Sequence, residues 1–449
     1  MDSWLTRRRL TFRAAGVQTA HDSIHTFGNG FGGASPSRCP RWEGEAPPNP
    51  LPKLEDSLAG ATGGMALRIP DGKRRGASVH PSTSRIRLGF VGLGNVLGAY
   101  LPLLERLERN GSARLTVLCG RERQRSTFAN THPNAVFLTN YAALLERNDV
   151  DAVVVLTPMA EHGRMARAAL EFGKHVLVEK PMAVDLDEAR ALIDLARSSS
   201  GRLLCAPFTL LSPTCQTIGR RIAQGDIGRV VSARGRYGWA GPDWTDWFYR
   251  PGGGALFDLG VYNLTTLTGW LGPIRRVTAL AGIAVPERQV GDHVVRVEVE
   301  DNFQLALEFA TGALATITTG FSIQQYRGPG LEVYGTEGTV NLLGDDWDPN
   351  GYELWRNSAG CWQCFNETHP DWPWTDGLRH LVECIQEGTK PIVTPEHAFH
   401  VLDVMVQTLA SAREGRARSV ESTFAPMDFM GGGAVTSAHR VHDRTRPVD

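Results

Sequence analysis

The chain has 449 residues, 42% hydrophobic and 21% charged, with a formal net charge of −1. That length holds two domains at roughly 100–200 residues each, and the near-neutral charge offers no field to draw nucleic acid or an acidic membrane as a partner. No apolar run reaches the ~20 residues a bilayer span needs, and seven scattered cysteines fit free thiols in a reducing cytoplasm better than a disulfide framework.

Residues 1–84 show no sustained periodicity and are rich in Gly, Pro and Ser from Asn29 to Gly64, which reads as a disordered extension. The run Arg7-Arg8-Arg9 is not followed by an apolar segment, so export is not expected. From Ile86 the pattern changes. Ile86–Val91, Leu115–Cys119, Ala152–Leu156, Val176–Val178 and Leu203–Ala206 are near-continuous apolar runs, as in strands buried on both faces of a parallel sheet. Met165–Phe172 and Leu186–Ala196 carry helical spacing between them. This alternation predicts an α/β domain over 85–207: a doubly wound parallel sheet of the Rossmann kind.

The first strand runs into Gly92-Leu93-Gly94-Asn95-Val96. A glycine-rich turn between strand and helix lets backbone approach a pyrophosphate at the positive end of the helix dipole. Pro102 falls early in that helix and is expected to bend it or confine it to its first turns. The second strand ends in Cys119-Gly120-Arg121, where NAD enzymes place a carboxylate for the ribose. Arg121 suits a 2′-phosphate through paired, charge-assisted hydrogen bonds, so NADP is expected over NAD. The alternative is that Arg121, Arg123 and Arg125 form a solvated helix face, and for the last two that is the better reading.

Residues 208–424 read as an α+β domain with a largely antiparallel sheet. Phe303–Phe309 alternates with period two, Ala313–Thr319 and Leu331–Tyr334 are further strands, and Pro395–Arg413 is a helix amphipathic through Phe399, Leu402, Met405 and Leu409. Before Gly252 lies an aromatic segment, Tyr237 to Tyr249. Trp247 and Tyr249 are candidates for a substrate-pocket rim, since aromatic faces pack on the C–H faces of sugars; filling the core is an equal alternative. From Ala425 to Asp449 the chain reads as a tail.

Thr157-Pro158-Met159-Ala160-Glu161-His162, then Glu179-Lys180-Pro181, then Gly252 to Tyr262 and Gly335-Thr336-Glu337-Gly338 follow the glycine turn in order. Over Arg85 to Val420 this set resembles the glucose-fructose oxidoreductase, inositol dehydrogenase and rhizopine catabolism (Gfo/Idh/MocA) family. The resemblance implies an NAD(P)-dependent oxidoreductase acting on a carbohydrate, cyclitol or related polyol. It implies that Thr157, Pro158 and His162 line the nicotinamide side of the cleft and that Glu179 contacts the cofactor. Lys180 would lie between nicotinamide and substrate, with a cis peptide into Pro181, and Asp258 and Tyr262 would complete the catalytic group. A homodimer or homotetramer through the second sheet is implied as well.

Asp258 and Tyr262 are four apart and would share one face of a helix. A nearby Lys180 ammonium would favour the Tyr262 phenolate and lower its pKa. Tyr262 as acid/base with Lys180 as polariser and Asp258 as orienting group is one assignment; Lys180 as proton donor is the other. A dinucleotide-sensing regulator on the same fold is the alternative function, opposed by the intact trio. Cys361 and Cys364 have one metal-like spacing and no second pair, so no metal is expected. The loop Pro370–Trp374 reads as a solvent-exposed turn or a substrate-side loop.

Overall fold

The structure, a computed structural model, describes residues 85–430; the expected extension 1–84, and the tail beyond Met430, lie outside the described residues. Six parallel strands form the first sheet: β1 (Ile86–Val91), β2 (Ala113–Cys119), β3 (Val136–Leu138), β4 (Ala152–Val155), β5 (His175–Val178) and β6 (Leu203–Cys205). Their order is β3-β2-β1-β4-β5-β6, so strand order reverses between β1 and β4. That reversal opens a crevice at the carboxyl ends of the strands. β3 was not legible because three residues without a fully buried member carry no pattern.

Helices α1 (Leu97–Arg109), α2 (Arg125–Thr131), α3 (Tyr141–Leu145), α4 (His162–Glu171) and α5 (Leu186–Ser198) connect these strands. α1 runs on through Pro102 to Arg109, so the proline does not confine it. It buries Tyr100, Leu103, Leu104 and Leu107, and that packed face holds the helix across the missing N–H.

The chain leaves the first sheet through a cis Ala206–Pro207 bond and α6 (Pro213–Ala223). The second sheet begins with β7 (Val230–Gly238), followed after α7 (Val261–Leu271) by β8 (Ile274–Gly282). A separate ribbon, β9 (Glu287–Val290) with β10 (His293–Arg296), stands beside it. Then come β11 (Asn302–Phe309), β12 (Leu314–Gly320), β13 (Leu331–Gly335), β14 (Gly338–Asp345), β15 (Asp348–Arg356) and β16 (Cys361–Asn366). Helices α8 (Gly377–Glu387) and α9 (Pro395–Glu414) and a short β17 (Arg418–Ser419) end the fold. The nine-stranded order is β16-β15-β14-β13-β7-β12-β11-β8-β17. Only β7 with β12 is parallel. In β11, Phe303, Leu305, Leu307 and Phe309 are buried, as the alternation requires.

Three features depart from the sequence reading. α8 packs back onto β1, β5 and α1, a return to the first sheet that no periodicity signalled. The buried face of α9 is wider than the expected stripe: Leu402 and Met405 are buried, Phe399 and Leu409 pack against the core partly buried, and His397, His400, Val401, Asp403, Val404, Thr408 and Ser411 are buried as well. The polar members are there because β8 offers backbone groups to satisfy. His400 Nε2 accepts from Ile274 N–H (2.9 Å), and Ser411 Oγ accepts from Ala279 N–H (3.0 Å). Third, the expected tail stays packed to Phe429, whose ring lies where Gly219 leaves no room for a side chain. Among the described residues, no helix is long and apolar enough to cross a membrane.

Candidate active site

The turn from β1 into α1 is shaped for close approach. Gly92 has φ +89°, and a Cβ there would lie 2.5 Å from the carbonyl carbon of Leu156 at the end of β4. Glycine alone meets both demands. Gly94 faces open space, with nothing within 4 Å of a Cβ position. Gly94, Asn95 and Val96 are exposed, and among the described residues their N–H groups find no acceptor. Unpaired amides at the N-terminal end of a helix suit a pyrophosphate. Thr157 Oγ1, just beyond β4, is buried without a hydrogen-bond partner. Pro158 beside it is exposed. A dinucleotide therefore fits this crevice.

Arg121 follows β2. Its N–H donates to Gln124 Oε1 (2.9 Å), and Gln124 Nε2 donates to Leu93 O (2.6 Å). These bonds tie the strand end to the glycine turn. The Arg121 guanidinium is exposed and makes no ion pair among the described residues. Arg125, by contrast, is committed to Glu122 at 2.6 Å and to the Phe137 ring.

Lys180 and Asp258, 78 residues apart in sequence, meet at the mouth of the crevice. Lys180 Nζ donates to Asp258 Oδ1 (2.6 Å) and to the Asp258 carbonyl (2.7 Å). The side chains are 11% and 15% exposed, so the pair is shielded yet reachable. The Lys180–Pro181 bond is cis. Asp258 lies in a π-helical turn, Leu256–Gly260, that leads into α7. The i→i+5 bonding widens that turn. Asp258 and Tyr262 both reach Lys180, whose Nζ lies 5.0 Å from the Tyr262 ring centroid.

The electrostatics of Tyr262 run opposite to expectation. Its pKa is raised well above 10 by burial first, then by the charges of Glu179, Asp258 and Asp346. Lys180 faces the ring, where an ammonium interacts with π density, and the phenolate is not favoured.

Glu179 and His162, expected to contact the cofactor and to line the nicotinamide side of the cleft, are both buried and have partners inside the protein. Glu179 Oε1 accepts from Tyr100 OH (2.6 Å), and Oε2 accepts from Lys180 N–H (3.1 Å). Each oxygen thus has one donor inside the protein. His162 is buried, with Nδ1 2.7 Å from Pro181 O and Nε2 2.8 Å from Thr157 O. It sits between the loop after β4 and the cis Lys180–Pro181 segment, the neutral ring donating its one N–H to one of these two carbonyls, and presents no ring nitrogen to the crevice. Burial lowers its pKa, although both carbonyls oppose this.

Tyr249 is 1% exposed, with its hydroxyl on Pro242 O (2.6 Å) and Arg288 over its ring. It is core, not rim. Arg288, on β9, also donates to Ala240 O and so ties the aromatic segment to the β9–β10 ribbon, while its pair with fully buried Asp301 at 2.6 Å ties that ribbon to the start of β11. Trp247 is half-buried and stacks on Phe248, centroids 3.7 Å apart. Sequence reasoning missed Tyr100, which meets Glu179 and carries Trp374 at 6.0 Å. Tyr237, placed there only as one ring of the aromatic segment, stands edge-on to Tyr262 at 5.7 Å. No spacing rule marks either, because each reaches the site only through tertiary contact. Among the described residues, no group of three His, Cys, Asp or Glu could hold a metal; Cys361 and Cys364 are exposed on the edge strand β16 and unbridged.

Residues 86–206 match the oxidoreductase family with an NAD-binding Rossmann fold, and residues 215–341 match the GFO/IDH/MocA C-terminal domain. The chain is also 32% identical to a dTDP-3,4-didehydro-2,6-dideoxy-alpha-D-glucose 3-reductase of Streptomyces antibioticus, over 73% of this chain and 98% of that protein. The chain belongs to the Gfo/Idh/MocA oxidoreductases. This family member is 25% identical to a trans-1,2-dihydrobenzene-1,2-diol dehydrogenase of Bos taurus, over 71% of this chain and 95% of that protein. Its fold matches a levoglucosan dehydrogenase in complex with NADH, with TM-score 0.69 and 20% identity over 76% of this chain and 100% of that one. As a Gfo/Idh/MocA protein it is an NAD(P)-dependent oxidoreductase.

Proposed function

We propose that this enzyme uses NADP to interconvert a carbinol and a carbonyl on a sugar, cyclitol or related polyol or diol, with Lys180 as the group that moves the proton. The Lys180–Asp258 contact carries this reading. An ammonium has three N–H donors, and two are used by Asp258 Oδ1 and the Asp258 carbonyl. The third is free for a substrate oxygen. Once that proton is given up, the amine still has two N–H groups for the same two acceptors. The pair therefore keeps its geometry in both protonation states, as a relay should.

Tyr262, with its proton held by burial, donates a hydrogen bond to the same oxygen and stays neutral. A bound nicotinamide supplies or accepts the hydride. The amides of Gly94, Asn95 and Val96 would hold the pyrophosphate, Thr157 Oγ1 would meet a polar group of the cofactor, and Arg121 would meet a 2′-phosphate. Glu179 and His162 position Lys180 from behind. The relatives' names, which mention a deoxysugar nucleotide and a cyclic diol, support the substrate class. Exposed Leu280 and Leu314 on the outer face of the second sheet support self-association there.

Titration with NADPH and NADH, followed by nicotinamide fluorescence, tests the cofactor reading. Tight NADPH binding, then turnover with a polyol or sugar from a screen, is expected. Binding of neither cofactor refutes it.

A further inference from the structure

Behind Tyr262 lies a carboxyl that the proposed proton transfer does not use. Asp346 turns the chain between β14 and β15 and is 0% exposed. Its Oδ2 accepts from Asn263 Nδ2 (3.2 Å) and from Thr266 Oγ1 (3.0 Å), both on α7. Asn263 is the residue after Tyr262. Thr266 Oγ1 also meets Thr209 Oγ1 at 2.7 Å, so the hairpin, α7 and the segment after the cis Ala206–Pro207 bond are joined at one point.

Two buried atoms at this junction have no partner: Asp346 Oδ1 and Asn263 Oδ1. Both are acceptors when the carboxyl is ionised, and neither can satisfy the other. One proton on Asp346 Oδ1 changes that. A carboxylic acid and a primary amide pair through two parallel bonds, N–H to one oxygen and O–H to the amide oxygen. The amide-to-carboxyl half of such a pair is already present. The titratable groups facing Asp346 are Asp345 on its own hairpin, Tyr237 on β7, Tyr262 on α7, Cys215 on α6 and Tyr326 before β13. None of these is a cation.

We propose that Asp346 is a positioning residue that acts in its protonated form, sharing one proton with Asn263 Oδ1 and so fixing the turn of α7 that carries Tyr262. Burial, and then the charge of Asp345, raise this carboxyl to about 7, which puts the switch within the working range of an enzyme. Its catalytic consequence rests on the oxidoreductase reading; the proton pairing itself does not.

Asp346→Asn tests it, because an amide at 346 can donate to Asn263 Oδ1 at every pH. Wild type, D346N and D346L are compared by kcat and by Tm from about pH 4.5 to about pH 9. The sign follows from a folded pKa above the unfolded one: the stabilisation is complete below the unfolded value and is lost as pH rises through the folded value. D346N should therefore gain on wild type in Tm between about pH 4 and about pH 7, with no further gain above that. Wild-type kcat should fall about tenfold as pH rises past about 7. D346N should lack that limb and stay within about threefold of the acid-side wild-type rate, whereas D346L should be slow throughout, with KM changed less than kcat. A Tm difference independent of pH, or a D346N as slow as D346L, overturns the proposal. The Tm series needs no substrate. Absence of turnover in every variant alongside the expected Tm series would thus strike the proposed polyol or sugar reaction and leave the shared proton standing.

Discussion

Lys180→Met separates the two proton assignments. Methionine keeps the length and apolar stem of lysine and removes only the ammonium. Three effects follow from the contacts described. The proton donor is lost, which for a positioned acid typically costs 10²–10⁴-fold, or about 3–5 kcal/mol of transition-state stabilisation. Asp258, 15% exposed and bonded to Lys180 at 2.6 Å, is left without its cation. Removing one partner of a buried pair costs about 3–5 kcal/mol; the remaining solvent access at Asp258 places this case nearer the lower end. Tyr262 keeps its place, because its edge contact with Tyr237 does not involve the lysine. The expected outcome is a kcat drop of about 10³-fold together with a lower Tm. Adding Asp258→Asn should restore most of the Tm and none of the rate. Tyr262→Phe, which removes one neutral donor, should cost about 10–100-fold in kcat. Steady-state kinetics and thermal unfolding on wild type and the three variants read these quantities. A Tyr262→Phe enzyme that loses more rate than Lys180→Met would refute the assignment and return the acid/base role to the phenol.

Four further outcomes follow from the same geometry. Arg121→Ala should weaken NADPH binding about 10–100-fold with little change for NADH, read by fluorescence titration; equal loss for both cofactors would mean that the guanidinium meets no 2′-phosphate. Gly92→Ala puts a Cβ against the Leu156 backbone at a φ of +89°, so at least ~2 kcal/mol of stability should be lost, together with cofactor binding. Tyr100→Phe leaves Glu179 Oε1 without its 2.6 Å donor and should cost about 1–3 kcal/mol in urea unfolding, with kcat reduced and NADPH affinity nearly kept. Leu280→Arg with Leu314→Asp charges the outer sheet face, where the two leucines are 74% and 56% exposed. Sedimentation should then show smaller particles than wild type, and an unchanged particle would exclude that face as the contact.

Much of the site was legible before any coordinate. Gly92 and Gly94 announce themselves by standing at a strand end that an apolar run fixes, since a strand buried on both faces of a parallel sheet can be little else, and the same pattern picks out Arg121 as the proposed 2′-phosphate contact. Lys180, Asp258 and Tyr262 come together in space as the family resemblance implied. The reasons given for them fared less well. Four-residue spacing assumed an α-turn where the chain makes a π-turn. The lowered phenol pKa assumed that an adjacent ammonium outweighs burial, and burial wins.

The sequence by itself determined the parallel sheet, the alternating strand β11 and the dinucleotide turn, because each is written in a local period or in the backbone freedom of glycine. Tertiary structure alone decided which side chains serve the site and which support it. Tyr249 and His162 turned inward because their polar atoms found backbone carbonyls there. Tyr100, Tyr237 and Asp346 reached the site from α1, β7 and the β14–β15 turn. Side chains brought together over 79 and more residues leave no trace in any window of sequence, since the burial and charge that define their chemistry exist only once the two sheets have closed around them.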